Sequence, residues 1–414
     1  FKGDAGLGGK LPDYEPVKDE TRIDEAMISR AVELLKQAAA PGLFLGWGCR
    51  GCGDILIRLA EILEAPVSTT LQGMCVFPGD HPLHTGIGFG PAAVPASENA
   101  FKNCDCLLAV GTRFSEIPTG SFGCSVPENL IHVDMNPEVF NKNFPAKVPI
   151  PGDANIILQA ILDKLQQDHY ETNRKNSTLR ANIKKDKETY YAEWRKHLHE
   201  KVNPLLFFEA LHRHLEDDAV TMVDDGNHTY LVAELFPMKK KQRCYCPSDF
   251  NSMGYCVPAA IGAKLANPGS QVIGIVGDGA FLMTGMETLT ATQNGLGITY
   301  FVFHDGELSQ IAQGQEIPYN RKTCTILGKF NLEGMAIACR AGYFEIGNNE
   351  DIDEVIPIAL ETSAKGKPVI VDVNVDYSKR TRFTQGVVKT VLKGFPLRDK
   401  TRFIGRALLR KITG

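Results

Sequence analysis

With 414 residues, 43% of them hydrophobic and 23% charged, the chain is long enough for two or three globular domains with ample cores. A net charge of −4 with interspersed signs excludes a polybasic nucleic-acid binder, and no apolar run approaches the roughly 20 residues that span a bilayer. No charged-then-apolar leader pattern opens the sequence, so a cytoplasmic protein is the expectation.

Eleven cysteines, with Cys49-x-x-Cys52, Cys104-x-Cys106 and Cys244-x-Cys246 far apart, fit neither a disulfide framework nor a four-ligand zinc site. Reduced thiols are expected.

Residues 1–21, rich in Gly, Pro and charge, read as a linker. Helical periodicity begins near Ile23, carries Met27, Ala31, Leu34 and Leu35 on one face, and stops at Pro41-Gly42. A strand at 43–47 runs into the Gly-rich turn Gly46-Trp47-Gly48-Cys49-Arg50-Gly51, and a helix follows at 55–63. That turn fits G-x-G-x-x-G, which suits a dinucleotide pyrophosphate, but no acidic ribose ligand closes a second strand about 20 residues on. Further strands are predicted at 67–70, 107–111 and 130–133 and a helix at 156–165, which together make 22–165 a doubly wound, Rossmann-like α/β domain.

Residues 166–203 are dense in both charge signs and lack a compact basic cluster; they read as a solvated helical connector rather than a nucleic-acid patch. Pro204 then opens a helix at 205–215 and a second doubly wound, parallel-sheet domain, 204–377, which ends on a strand at 369–373.

Within that domain, 271–315 is the most informative stretch. A β-branched, uncharged strand at 272–276 leads into Gly277-Asp278-Gly279. Helical spacing over 286–294 stops at Gly295, and a second buried strand, 298–303, ends in His304-Asp305-Gly306-Glu307. Right-handed crossovers make such strands parallel near neighbours, so Asp278 and Asp305 meet at the carboxyl edge of one sheet. Two carboxylates converging without basic neighbours need a hard cation, Mg²⁺ or Ca²⁺. Glycines on both sides of Asp278 let a diphosphate approach the backbone. Alone, Gly-Asp-Gly is also an ordinary strand-to-helix turn with a capping acid.

The span resembles the thiamine diphosphate (ThDP) fingerprint, Gly-Asp-Gly followed by a helix and a strand that usually ends in Asn-Asn. Upstream, Asn251-Ser252-Met253-Gly254-Tyr255 and Asp225-Gly226-Asn227-His228-Thr229 are similar to the family loops that bend the cofactor and touch its diphosphate. Over 22–165, Asp80-His81-Pro82-Leu83-His84, Val110-Gly111-Thr112-Arg113-Phe114, His132-Val133-Asp134 and Pro151-Gly152-Asp153 resemble the middle domain of the acetolactate synthase group.

The resemblance implies Mg²⁺ held by Asp278, Asp305 and the carbonyl of Glu307, with Asn227, His228, Met253, Gly277, Gly279 and Ala280 around the cofactor. It also implies a 2-oxo acid substrate, decarboxylation with carboligation, sites between subunits of a homodimer or homotetramer, and FAD as an option in the middle domain with Arg113 as a contact. The glutamate that activates the cofactor belongs, in the family, to an N-terminal pyrimidine-binding domain, which would lie before Phe1; this chain alone is therefore expected to be inert. Three departures stand out. His304-Asp305 replaces Asn-Asn and adds a negative charge beside the diphosphate; Ile117 stands where the synthases place an acceptor-binding arginine; and Gly314 stands where they place a tryptophan. The last two favour, as alternatives, a 2-oxo acid decarboxylase or a 2-hydroxyacyl lyase. A reading from a different class is a catalytically silent ThDP-like assembly module.

The tail, 378–414, carries eleven Lys or Arg against Asp399. Phe403, Ala407, Leu408 and Ile412 share a helical face flanked by Arg402, Arg406 and Arg410, a pattern that suits peripheral contact with an anionic membrane. The expectation preferred is a tail folded over the active site or a neighbouring subunit.

Overall fold

A computed structural model describes residues 21–172, 174, 178–248, 250–319, 321–398, 401–402 and 405. All but Thr21 of the expected linker, and the apolar face Phe403, Ala407, Leu408 and Ile412 of the tail, lie outside the described residues.

The first sheet contains β1 (Pro41–Leu45), β2 (Val67–Thr69), β3 (His84–Ile87), β4 (Cys106–Val110), β5 (Asn129–Asp134) and β6 (Val148–Pro151), in the order β3-β2-β1-β4-β5-β6. The second contains β7 (Val220–Val223), β8 (Arg243–Tyr245), β9 (Val272–Gly277), β10 (Thr299–Phe303), β11 (Gly342–Ile346) and β12 (Val369–Val373), in the order β11-β12-β10-β9-β7-β8. Every pairing in both sheets is parallel. The central strands read as continuous Val, Ile, Leu and Phe because helices cover both faces.

β9 and β10 are neighbours with Gly277 opposite Phe303, so the residues just beyond them, Asp278 and His304-Asp305, emerge side by side. The helix expected at 286–294 is different in detail. Helix begins at once as Asp278–Thr284, passes through the 3₁₀ turn Gly285–Glu287, and resumes as Thr288–Gln293. The ring of Phe281, fully buried, occupies the space a side chain at Gly285 would need, at 2.7 Å, and the break falls there.

The charged connector is less solvated than its composition suggests. Its helix, Leu179–Arg195, buries Ile183, Tyr190 and Trp194 on one stripe, and Arg180 grips the Glu64 carboxylate of the first domain through two nitrogens. After it, Val202 pairs with Val375 in a short parallel bridge beyond β12.

The described part of the tail folds against the body. Glu234 accepts the amides of Arg382 (3.0 Å) and Phe383 (2.7 Å) at the start of helix Arg382–Gly394, and also the Tyr190 hydroxyl. Phe383 stacks on Tyr230 with ring centroids 4.3 Å apart. Gly386 lets the helix touch the backbone at Ala92, since a Cβ there would lie 2.2 Å from the Ala92 Cα.

Candidate active site

Three loops, leaving the carboxyl ends of β7, β9 and β10, meet at one cavity. This is where an open α/β sheet holds a ligand. The cavity is lined by Asn227, His228, Met253, Gly277, Asp278, Gly279, Ala280, Asp305 and Glu307, so every residue singled out from the sequence for this site reaches it. Tyr377, Gln310 and Asp225 also line it and were not singled out.

Asp278 is buried. Its Oδ1 accepts the Gly279 amide at 2.7 Å, and its Oδ2 accepts the amides of Gly306 (2.7 Å) and Asp305 (3.2 Å). The carboxylate therefore fixes the β10 turn as well as its own. Burial raises its proton affinity, and the backbone donors oppose that. Burial pushes the Asp305 carboxyl up to about 6; the Ser309 hydroxyl, which donates to it, pulls down, and the neighbouring Asp278 adds to the rise. Asp225 is likewise pushed up to about 6, by burial and then by Asp224. Three partly dehydrated carboxylates around one cavity favour a bound cation. The Glu307 carboxylate is taken by Thr325 (3.0 Å) and Lys322 (2.7 Å), which leaves its main-chain carbonyl as the group free to serve an ion.

His304 explains the departure from Asn-Asn in charge terms. Its Nδ1 lies 3.0 Å from the Asp372 carboxylate and its Nε2 4.0 Å from that of Asp278, and Asp372 holds its pKa above the usual imidazole value. When protonated, His304 offsets part of the extra negative charge on Asp305.

The opposite wall supplies unpaired polar atoms. Asn227 Nδ2 and His228 Nε2 are buried and make no hydrogen bond among the described residues. Such atoms in a cavity wall call for an oxygen-rich ligand. Burial pushes the His228 ring down to about 4, so it is neutral at pH 7, and it packs against Gly226 and Gly277, where a Cβ would come within 2.7 and 3.2 Å. At Gly279 a Cβ would lie 2.5 Å from Leu308 and 3.5 Å from the Met253 methyl. The glycines thus keep a backbone-lined cradle open. The unpaired Asn227 amide, the glycine cradle and the hard-oxygen set of Asp278, Asp305 and Glu307 together fit a diphosphate with Mg²⁺.

Asp224, not singled out from the sequence, organises this wall. Fully buried, its carboxylate accepts the amides of Asp225 (2.9 Å), Gly254 (2.9 Å) and Cys256 (2.7 Å), and so anchors the loop that carries Met253. Its only sequence signal is an acid immediately after an apolar strand, a position where Asp is common.

A second cleft lies at the carboxyl ends of β1, β4 and β5, lined by Trp47, Gly48, Gly111, Thr112, Arg113 and Asp134 among others. Here the Gly-rich motif has a reason of its own. A Cβ on Gly46 would lie 2.1 Å from the Gly111 carbonyl oxygen, and one on Gly111, whose φ is +59°, would lie 2.5 Å from the Gly48 Cα. Two chain segments cross there backbone to backbone, so these glycines are required by packing whether or not a dinucleotide binds.

The thiamine pyrophosphate enzyme central domain is matched by residues 28–161, and the thiamine pyrophosphate enzyme C-terminal TPP binding domain by residues 224–373. The chain belongs to the thiamine pyrophosphate enzymes. Its relatives within this family include acetolactate synthases. It is 31% identical over 335 residues to the "Probable acetolactate synthase large subunit" of Methanocaldococcus jannaschii, covering 75% of this chain and 53% of that protein. It is 30% identical to the "Acetolactate synthase large subunit IlvB1" of Mycobacterium tuberculosis (75% and 50% covered) and 29% identical to the "Acetolactate synthase large subunit" of Corynebacterium glutamicum (87% and 58%). This thiamine pyrophosphate enzyme chain thus spans about half the length of the curated relatives it matches. The first match spans the whole first sheet and the second spans β8 to β12, and all the cavity's lining residues except Tyr377 fall within the TPP binding domain match.

Proposed function

We propose that this chain forms the diphosphate- and Mg²⁺-holding half of a site that decarboxylates a 2-oxo acid and joins the product to a second carbonyl compound, as an acetolactate synthase does. The observation that carries the reading is the meeting of Asp278 and Asp305 opposite the unpaired polar atoms of Asn227 and His228 across one cavity. Thiamine diphosphate, when bound, supplies the carbon nucleophile and the electron sink. The chain supplies position and charge. Asp278, Asp305 and the Glu307 carbonyl hold the Mg²⁺, and Asn227 and His228 reach the diphosphate oxygens. Met253 and the glycine cradle fix the depth at which the cofactor sits, with the Asp224 contacts holding the Met253 loop in place.

FAD in the central cleft, beside Arg113, belongs to the same proposal, as does assembly into a homodimer or homotetramer. A second reading, a decarboxylase or 2-hydroxyacyl lyase, draws support from Ile117, which packs against the apolar core and offers no charge to an acceptor carboxylate.

Calorimetry of ThDP binding with and without Mg²⁺ tests the cofactor half: binding that needs the metal and is lost in Asp278→Asn is the expected result. Product analysis with pyruvate separates the chemistries, acetolactate for carboligation and acetaldehyde for decarboxylation alone. It is made with a protein that also carries a pyrimidine-binding domain, where the family resemblance puts the proton-handling glutamate. ThDP binding unaffected by chelator or by Asp278→Asn overturns the proposal.

A further inference from the structure

Away from the cofactor cavity, the connector and the segment leaving β12 bring together two imidazoles and a carboxylate. Among the described residues, His197, His199 and Asp376 are the one group of three such side chains whose ligand atoms all lie within 4.8 Å of one another. His197 and His199 sit two residues apart in the irregular segment that follows the connector helix, and their ring centroids are 4.5 Å apart.

The carboxylate is set up as a single-oxygen ligand. Asp376 is 4% exposed; its Oδ1 accepts the Ser378 amide at 2.8 Å, while its Oδ2 is buried with no hydrogen-bond donor assigned to it among the described residues. That oxygen faces His197 Nε2 at 3.2 Å and His199 Nε2 at 4.0 Å; His197 Nε2 also lies 2.8 Å from the Ser378 hydroxyl, a contact that a bound ion would replace. Around a tetrahedral ion with bonds of about 2.0–2.1 Å, ligand atoms stand about 3.3 Å apart. The first separation already has that value, and the exposed His199 ring closes the second by a small rotation. Backbone bonds hold both sides in register: Val202 N donates to the Asn374 carbonyl at 2.9 Å, and Asp376 N donates to the Val202 carbonyl at 2.9 Å.

We propose that His197, His199 and Asp376 form a site for a borderline divalent metal of the Zn²⁺ or Co²⁺ class, distinct from the Mg²⁺ position. Two imidazoles with one carboxylate select such ions over Mg²⁺ and Ca²⁺, which favour oxygen ligands. The ion clips the end of the connector to the exit of β12. The neighbour of Asp376 is Tyr377, a wall of the cofactor cavity, so the clip also secures that wall.

The test is equilibrium dialysis of the untagged chain against micromolar Zn²⁺, with Mg²⁺ in millimolar excess to occupy Asp278 and Asp305, and visible spectroscopy with Co²⁺ as the probe. One Zn²⁺ per chain is expected, with four-coordinate Co²⁺ bands, and affinity falls by at least about tenfold in His199→Ala and in Asp376→Asn. His199 is exposed, so its variant leaves the fold intact and keeps the test valid if Asp376→Asn folds poorly. Uptake no greater than that of a His197→Ala, His199→Ala double variant, or unchanged in His199→Ala, overturns the proposal.

Discussion

The backbone N–H of Asp305 donates to the carboxylate of Asp278 at 3.2 Å, so two acids 27 residues apart share one turn as well as one cavity. The first thereby shapes the loop that presents the second. With the proposed Mg²⁺ on this pair, metal binding and loop geometry would be coupled, and the consequences are measurable.

In the wild-type chain the paired carboxylates repel a diphosphate unless a cation intervenes. Asp305→Asn removes one charge and keeps an oxygen ligand. The expected outcome is weaker Mg²⁺ binding together with residual ThDP binding in the presence of chelator, where the parent shows none. Calorimetric titrations with and without EDTA read both effects, and an unaltered metal requirement contradicts the role given to Asp305.

The pH dependence follows from the Asp305 carboxyl, pushed up to about 6 mainly by burial. Protons and Mg²⁺ compete for that oxygen pair, so apparent Mg²⁺ affinity weakens as pH falls through about 6 and is pH-independent, as far as this group goes, well above it. At pH 5.5 metal binding releases protons; at pH 8 Asp305 contributes no release. Buffers of different ionisation enthalpy report the proton count, and Asp305→Asn flattens the profile.

Gly111 is held at φ +59° against the backbone of Gly48. Gly111→Ala adds both left-handed strain and a contact too short to persist, and it is expected to destabilise the central domain by about 1–3 kcal/mol. Urea unfolding followed in parallel with ThDP binding should show the loss in the first domain while the cofactor cavity, built on the other sheet, keeps its affinity.

Glu234 caps the tail helix and receives the Tyr190 hydroxyl. Glu234→Ala leaves those donors without an acceptor, at a cost of about 1–3 kcal/mol. The helix Arg382–Gly394 is then expected to release from Ala92 and Tyr230, with faster proteolytic cleavage after residue 378 seen by mass spectrometry. Protection equal to the parent's contradicts the capping role.

The sequence made the second sheet's centre readable because Gly277-Asp278-Gly279 and His304-Asp305-Gly306 each follow a five- or six-residue uncharged strand rich in β-branched or aromatic residues. β3 and β8 were not legible: His84–Ile87 contains a glycine, and Arg243–Tyr245 is three residues long, so neither shows a period. The connector helix was misjudged as solvated because three buried residues, Ile183, Tyr190 and Trp194, are diluted by eight charged ones in Leu179–Arg195. Asp224 and Glu234 escaped notice for a different reason. Their work is to accept amides from segments distant in the chain, and only folding brings those amides to them.

The Asp224 contacts bear on how a ligand is received. Because the loop before Cys256 is already tied to the end of β7, Met253 is in position before any guest arrives, and no disorder-to-order transition accompanies docking there. The heat-capacity change on the proposed cofactor uptake is then expected to reflect the surface the guest covers more than any ordering of the Met253 segment.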